Sequence, residues 1–491
     1  MRYDAIIIGS GLGALGTAHF LSRAGMQVLV LEKNRQFGGA LQVFSRDKQI
    51  LDVGVHYVGS LGPDEALGRY FRAFGIYDKL SFSRMDTEGY DRIYIENEEP
   101  VKFAQGFDAH IASLQEAFPD EKEGIESYIR FIEKVADHFP LYQFRPGSID
   151  PLSNPFSGKS AYAFICEKIQ NPLLRKVLTG AGLLYDFRPE SSSLYTHSII
   201  QGSFIKSAWK FHQGGAQIAR ALIQNGKENG VEYRNYSEVK EILTDADGVL
   251  GVRLDSGEEF MASRVISNIH PVHTYELLDS RTKIRPAYLT RIQNLPNSRS
   301  CFTAQFIMKE GQFPFLPYNA YIHTNGPLGE IGIFPSKDFE NQTYARVINV
   351  MSYMEMGELK EWEQSFRTEP HHKAERGGSY SDFKQRKEEE ILRIIEKRFP
   401  GFRDSVYSVY SSTALTWRDY LNYPEGSMYG TIHDYRRPAS SVFSPQTKVK
   451  GLYLCGQNLN LHGILGASIS SAVCSGAILG EEQMHKWMDF E

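Results

Sequence analysis

Two rhythms of apolar positions run through the chain, and the N-terminal stretch shows both. After Asp4 comes the unbroken run Ala5-Ile6-Ile7-Ile8, short and β-branched, which predicts a buried parallel strand. Ala14, Ala18 and Leu21 then recur at i, i+4 and i+7, the period of a helix with one buried face, and Gly25 is placed to end it. A second strand follows over Gln27 to Leu31. Beyond Ala66 helical spacing takes over, around Leu67 to Phe74, Ile111 to Phe118 and Ile125 to Val135, the last with Ile125, Tyr128, Ile129 and Ile132 on one face. Pro140, Pro146, Pro151 and Pro155 mark a loop region, and 160–205 reads as mostly helical.

Strand patterns return at Val231 to Tyr233, Ser237 to Ile242, Gly251 to Leu254 and Val265 to Asn268, after a helix opening at Gly214-Gly215-Ala216. A second change of texture brings strands near Cys301 to Met308 and Ala345 to Met351. An amphipathic helix follows over Phe383 to Phe399, with Ile391, Ile394 and Ile395 inward and Lys387 to Glu390 wet. Residues 367–381 read as an exposed polar loop. The last signal is a strand from Gly451 to Gly456, then Gly463-Ile464-Leu465-Gly466 and a helix of small residues from Ala467 to Leu479. Together these predict an α/β protein: a Rossmann-type dinucleotide-binding domain with an inserted α+β substrate domain. The expected segments are 1–80, 210–270 and 420–491 for the nucleotide domain, and 81–209 and 271–419 for the insertions.

The chemistry sits at the strand ends. Gly9-Ser10-Gly11-Leu12-Gly13-Ala14 fits G-x-G-x-x-G/A between a strand and a helix. Gly9 permits the tight turn, Gly11 lets backbone approach a pyrophosphate, and Ala14 lets the helix press on the strand. Glu32 follows the second strand about 20 residues on, where an acidic side chain receives ribose hydroxyls, and an acid there argues against a 2′-phosphate. The free N–H groups and dipole of the helix N-terminus suit phosphate. The C-terminal helix of small residues could bring its own N-terminus close to a bound group in the same way. Read from the residues alone, His56 and Tyr57, inside Leu51 to Gly59, are ordinary loop or core residues. Cys455 and Cys474 are most simply buried packing.

Composition trims the alternatives. A chain of 491 residues is expected to form two domains. A net charge of −5 leaves no basic footprint for nucleic acid. Four scattered cysteines without a C-x-x-C point to free thiols in a reducing compartment, and His371-His372 lacks partner ligands at metal-binding spacing. No apolar run approaches the roughly 18 residues that cross a bilayer. A first strand at residue 4 or 5 leaves no room for a leader. The expectation is a cytoplasmic protein whose membrane contact, if any, is peripheral.

Residues at both ends match a known family. GSGLGALGTAHFLSRAGMQVLVLEKN, FGGALQVF, DVGVHYVG, GGAQIARAL, VISN, LTWRDYLNYPEGSMYG and GLYLCGQNLNLHGILGASISSAVCSGAIL resemble the phytoene desaturase, carotene isomerase and all-trans-retinol saturase family of FAD-dependent oxidoreductases. Gly38-Gly39, similar to the second glycine signature of large flavoproteins, turns the cofactor from NAD to FAD. The resemblance implies FAD contacts at Gly9, Gly11, Gly13, Ala14, Glu32, Lys33, Gly39, Val239, Gly456 and Gly466. Val55-His56-Tyr57 and Trp417 to Tyr420 look more like the saturase and isomerase branch than the bacterial desaturases. The implied substrate is an apolar isoprenoid, carotenoid or retinoid, desaturated or saturated at carbon–carbon bonds. His56, Tyr57, Arg418 and Asp419 are the candidates for proton handling, although Arg418 and Asp419 could equally form a structural ion pair. Three other readings stay open: a non-redox polyene cis-trans isomerase using reduced FAD, a non-catalytic isoprenoid-binding protein, and an amine- or porphyrinogen-oxidising flavoprotein.

Overall fold

The computed structural model describes residues 2–147, 155–337, 343–368, 372–373, 376–441 and 443–488. Pro151, Pro370 and His371 of the expected loops lie outside the described residues.

The apolar run after Asp4 forms strand β1 (Ala5–Ile8), every residue of it buried. It leads into helix α1 (Leu12–Arg23) and strand β2 (Val28–Leu31). The chain returns to this sheet with helix α2 (Ala216–Glu228), strand β3 (Glu232–Arg234) and strand β4 (Val265–Ser267). It returns again with strand β5 (Leu452–Leu454) and helix α3 (Gly463–Leu479). The five strands make one parallel sheet in the order β3-β2-β1-β4-β5. The register pairs Ile8 with Leu31 and with Ser267, and Ser267 with Leu454. The strands therefore end level, and the loops beginning at Gly9, Glu32, Asn268 and Cys455 leave the sheet along one edge. That is the edge where open α/β sheets bind ligands.

One expectation is corrected at α1. Its spacing suggests a single buried face, yet Leu12 to Ser22 are buried all round. Ala14, Ala18 and Leu21 pack on the sheet with Ile7 and Val30, while Leu15 and Phe20 pack on the other side with Phe74 and Ile469. At Gly16 a Cβ would meet Ser471 Oγ of α3 at 2.6 Å, so the two helices touch through small residues. The apolar period records one of two covered faces.

A four-stranded sheet covers the face of the parallel sheet that carries Ile6, Ile8, Leu29, Leu31 and Val265, in the order Arg2–Tyr3, Glu259–Ala262, Gly248–Leu254, Val239–Asp245. The remaining large element is a seven-stranded sheet. Ser300–Met308, Val347–Met354, Glu330–Ser336 and Asn319–His323 lie in succession, with Asp91–Ile95 joined parallel to the last. The helix expected from Phe383 begins earlier and spans Gly377–Arg398, because Tyr380 packs on Trp362 (ring centroids 5.3 Å) and its hydroxyl meets Thr413 Oγ1 at 2.8 Å. Ile391 and Ile395 are buried, and Ile394 half-buried. The Lys387 to Glu390 run is not simply wet. Lys387 pairs with Glu358 at 2.8 Å, and Glu388 accepts a hydrogen bond from Ser411. No helix among the described residues is long and apolar enough to cross a membrane.

Candidate functional site

The level strand ends open into a cavity of about 420 Å³. Its wall comes from the β1–α1 turn, the turn after β2, the strand carrying Val239, the segment Gly54–Gly59 and the start of α3. Gly9 holds a φ of +86°, a left-handed turn that a side chain resists. At Gly13 a Cβ would sit 2.7 Å from both Cα and N of Gly456, so the head and tail of the chain meet backbone to backbone. Neither α1 nor α3 has a side-chain cap, which leaves their first N–H groups available at the cavity.

Glu32 is buried and lines this wall. Ser10 Oγ donates to its Oε2 at 2.5 Å, and the Asn34 N–H donates to Oε1 at 2.9 Å. Burial pushes its carboxyl above the usual range, while the Ser10 and Asn34 bonds pull it back. The carboxylate is thus oriented, with acceptor capacity left for a ligand hydroxyl. Lys33 is tied differently: its Nζ donates to the Asp419 backbone oxygen at 3.0 Å. Gly9, Gly11, Gly13, Glu32, Lys33, Gly39, Val239, Gly456 and Gly466 all lie in the cavity wall. Ala14 does not. Its methyl is packed on the sheet, so its place is structural.

Asn268, at the end of VISN, also lies in the cavity wall, and no spacing in the sequence marks it. Cys455 Sγ donates to its Oδ1 at 3.4 Å, and its Nδ2 would lie 2.8 Å from a Cβ on Gly11. This places an amide donor beside the β1–α1 turn. These features fit a flavin dinucleotide: a glycine cradle that side chains would fill, two uncapped helix starts and an oriented buried acid.

Beyond the cradle the wall becomes apolar and aromatic, with Ile199, Phe204, Phe334, Met351 and Trp417. His56 and Tyr57 both reach it. The His56 ring stacks on Phe334 at 4.8 Å and 9°, and neither ring nitrogen has a hydrogen-bond partner. Burial, and then the Lys210 ammonium, lower its pKa to about 3, so the imidazole is neutral. Tyr57 donates to Asp91 Oδ2 at 2.9 Å, and its oxygen lies 2.7 Å from that of Tyr321, which also lines the cavity. Asn319 Nδ2 donates to the other Asp91 oxygen at 2.8 Å, and burial holds Asp91 at a pKa of about 7.

Arg418 and Asp419 form the ion pair that was the alternative to proton handling. Neither is in the cavity wall, although their neighbours Trp417 and Tyr420 are. Asp419 is buried, and its carboxylate takes Arg376 Nη2 at 2.5 Å and Arg418 Nε at 2.9 Å. Arg418 turns away to the backbone oxygens of Glu363 and Ser365. Both sit in the helix Ala414–Leu421, whose Asp419 backbone oxygen meets Lys33 in the turn after β2.

Replacing Glu32 with Ala is expected to weaken FAD binding about tenfold to a hundredfold, the equivalent of roughly 1.5–3 kcal/mol for hydrogen bonds to a charged group. Titrating the apoprotein with FAD by flavin fluorescence checks this. Unchanged affinity would remove Glu32 from the ribose site.

Comparison with known proteins agrees with this geometry. Human all-trans-retinol 13,14-reductase is 27% identical over 97% of this chain and 86% of that protein. The chloroplastic prolycopene isomerase of Arabidopsis thaliana is 23% identical over 99% of this chain and 84% of its own length. Among solved structures, putrescine oxidase superposes with a TM-score of 0.68 at 15% identity, covering 98% of this chain and 100% of that one. An oxidoreductase from Methanosarcina mazei gives a TM-score of 0.67 at 16% identity, covering 96% and 99%. The model of flavin-containing amine oxidoreductases matches residues 15–477. With that match over almost its whole length and a cradle that fits the dinucleotide, the chain belongs to the flavin-containing amine oxidoreductase family, and its cofactor is FAD.

Proposed function

We propose that this FAD-dependent oxidoreductase acts on carbon–carbon bonds of an apolar isoprenoid, a carotenoid or retinoid, by saturation or desaturation. One observation carries the reading. The charged residues of the cavity wall, Glu32, Lys33, Glu238, Lys240 and Glu276, come from the turn after β2, the strand carrying Val239 and the segment after β4, whereas the segments carrying His56, Tyr57, Phe204, Tyr321, Phe334 and Met351 add no Lys, Arg, Asp or Glu to the lining among the described residues. Such a wall suits a long hydrocarbon and offers no counter-charge to an ammonium. The similarity to retinol reductases over nearly the full chain supports the same substrate class.

Bound FAD supplies hydride chemistry. The chain must then position the polyene, exclude water and manage one proton per bond. Aromatic side chains do the first two. The polar groups at hand for the third are the neutral His56 imidazole and the Tyr57 hydroxyl, the latter held by Asp91 and Tyr321. An apolar substrate of this kind resides in lipid, so we place the protein at a membrane surface by peripheral contact.

The similarity to prolycopene isomerases favours a second reading, isomerisation without net redox change. One experiment separates them. Holoenzyme is incubated anaerobically with all-trans-retinol or a carotene, with its FAD oxidised in one sample and chemically reduced in another, and absorbance and chromatographic retention are followed. Shortened or lengthened conjugation with matching flavin oxidation or reduction is the expected result. A small spectral shift with conjugation intact indicates the isomerase. No change with any polyene, in a yellow and fully loaded protein, overturns both.

A further inference from the structure

Behind His56 lies a second, smaller chamber of about 80 Å³. Among the described residues only His56 and Phe334 line both this chamber and the main cavity, and these are the two rings stacked on each other. The chamber differs in chemistry from the apolar cavity. Its lining includes Asp52, Arg84, Lys210 and Asn349. Arg84 is exposed, so the lining runs from the protein surface to the back of His56.

The polar groups inside are under-supplied with partners. Lys210 is buried, and its Nζ donates to the Pro335 backbone oxygen at 2.7 Å, one acceptor for three N–H groups. Asp52 is buried and takes the Gly215 N–H at 3.1 Å. Asn349 Oδ1 and both His56 nitrogens have no protein partner. A polar chamber of this size admits several waters, and buried donors and acceptors left over by the protein are the groups such waters bridge. Burial draws the two ionisable groups together from opposite sides. Lys210 falls to about 7, and Asp52 rises to about 7. The further charges acting on Lys210 are Asp91, which favours its charge, and Lys337, which opposes it. His212 completes the titratable lining.

We propose that this chamber is a water-filled proton inlet, in which Lys210 and Asp52 exchange protons with solvent and His56 hands them to the substrate carbon in the main cavity. It rests on the carbon–carbon redox reading above. In the saturating direction each double bond takes a hydride, supplied by reduced FAD, and a proton. The proton leaves one His56 nitrogen for the substrate carbon, and a chamber water protonates the other nitrogen. Lys210 or Asp52 resupplies the water, and exchange with solvent resets the pair and the imidazole tautomer. Desaturation runs the same path outward. A neutral imidazole suits this relay, since one nitrogen already carries hydrogen while the other accepts. The apolar cavity, filled by flavin and hydrocarbon, offers no comparable route.

The test uses dithionite-reduced holoenzyme and all-trans-retinol in anaerobic stopped flow, reading flavin reoxidation in H₂O and D₂O across pH. His56→Phe keeps the ring stack and removes the nitrogens. It is expected to slow reoxidation by about 100-fold or more, with FAD content unchanged. In the wild type the rate falls as pH rises through about 7, where Lys210 and Asp52 give up their protons. Asp52→Asn keeps the shape and the Gly215 contact but removes a charge that favours ionised Lys210, so the fall moves to lower pH. A wild-type rate and solvent isotope effect in His56→Phe, or an unmoved profile in Asp52→Asn, overturns the inlet. A second readout needs no turnover. In the infrared difference between wild-type and Asp52→Asn resting holoenzymes, which cancels the Asp91 carboxyl, a carboxyl band should grow as pH drops through about 7 and shift in D₂O within minutes. If no polyene reacts but this band is present, the substrate reading fails and the inlet stands. If the band is absent, the inlet fails whatever the substrate.

Discussion

Gly13→Val should purify colourless and take up no added FAD, while Gly476→Ala, in the C-terminal helix, should purify yellow. At Gly13 the new Cβ would lie 2.7 Å from Cα and N of Gly456 and from Oδ1 of Asn268. Two of these three atoms are backbone, and none belongs to the loose end of a long side chain. To admit valine, α1 must move off the strand that ends in Leu454. Overpacking of this kind costs about 1–3 kcal/mol of stability. The larger effect is on the cofactor, because the glycine turn and the start of α3 move apart and both line the cavity. Gly476 carries the contrast. Its Cβ would meet only Met484 Cγ, at 3.6 Å, and alanine in a helix interior is favoured over glycine by roughly 0.5–1 kcal/mol. Flavin absorbance per mole of protein after purification and reloading decides the matter. Stoichiometric FAD in Gly13→Val would mean that the head-to-tail contact does not form the cradle.

The contrast also shows what a reading of the chain alone can reach. The β1–α1–β2 unit is legible because its determinants are local. A β-branched run, glycines at fixed offsets, a helical period and a terminal acid all fall within Ala5 to Glu32. The helix of small residues after Gly463 is legible for the same reason. Local pattern cannot say who comes to meet these elements. The burial of α1 on its outer side depends on Phe74 and Ile469, far away in sequence. Tyr57 looks like packing until Asp91 and Tyr321 arrive from the seven-stranded sheet. His56 is two residues from a glycine in an unremarkable loop, and only the fold sets Lys210 and Asp52 behind it. Asn268 was within reach, since it stands at a strand end level with Gly9. A short polar side chain there carries no spacing signal of its own.

The pair at Arg418 and Asp419 is where adjacency in sequence misleads most, and it sets the second large effect. Asp419→Ala should destabilise the protein by about 3–5 kcal/mol, the usual cost of stranding a buried charge. The Asp419 side chain is 0% exposed, Arg376 is 6% exposed and Arg418 15%. Without the carboxylate, two guanidiniums face each other in a site that water reaches poorly. Arg418 retains the Glu363 and Ser365 carbonyls, and Arg376 retains Ser365, so neither cation can swing into solvent without losing those bonds. Pairing Asp419→Leu with Arg376→Met should restore part of the loss, because it replaces the more buried pair with apolar groups and leaves Arg418 on the Glu363 and Ser365 carbonyls. FAD content of the folded fraction should stay near stoichiometric in both variants, since the Lys33 contact is to the Asp419 backbone oxygen and survives the change. Denaturant unfolding followed by tryptophan fluorescence, alongside flavin content and turnover, reads all three quantities. A catalytic Asp419 would give the opposite pattern, with unfolding at the wild-type midpoint and turnover abolished, and that result would return Arg418 and Asp419 to the active site.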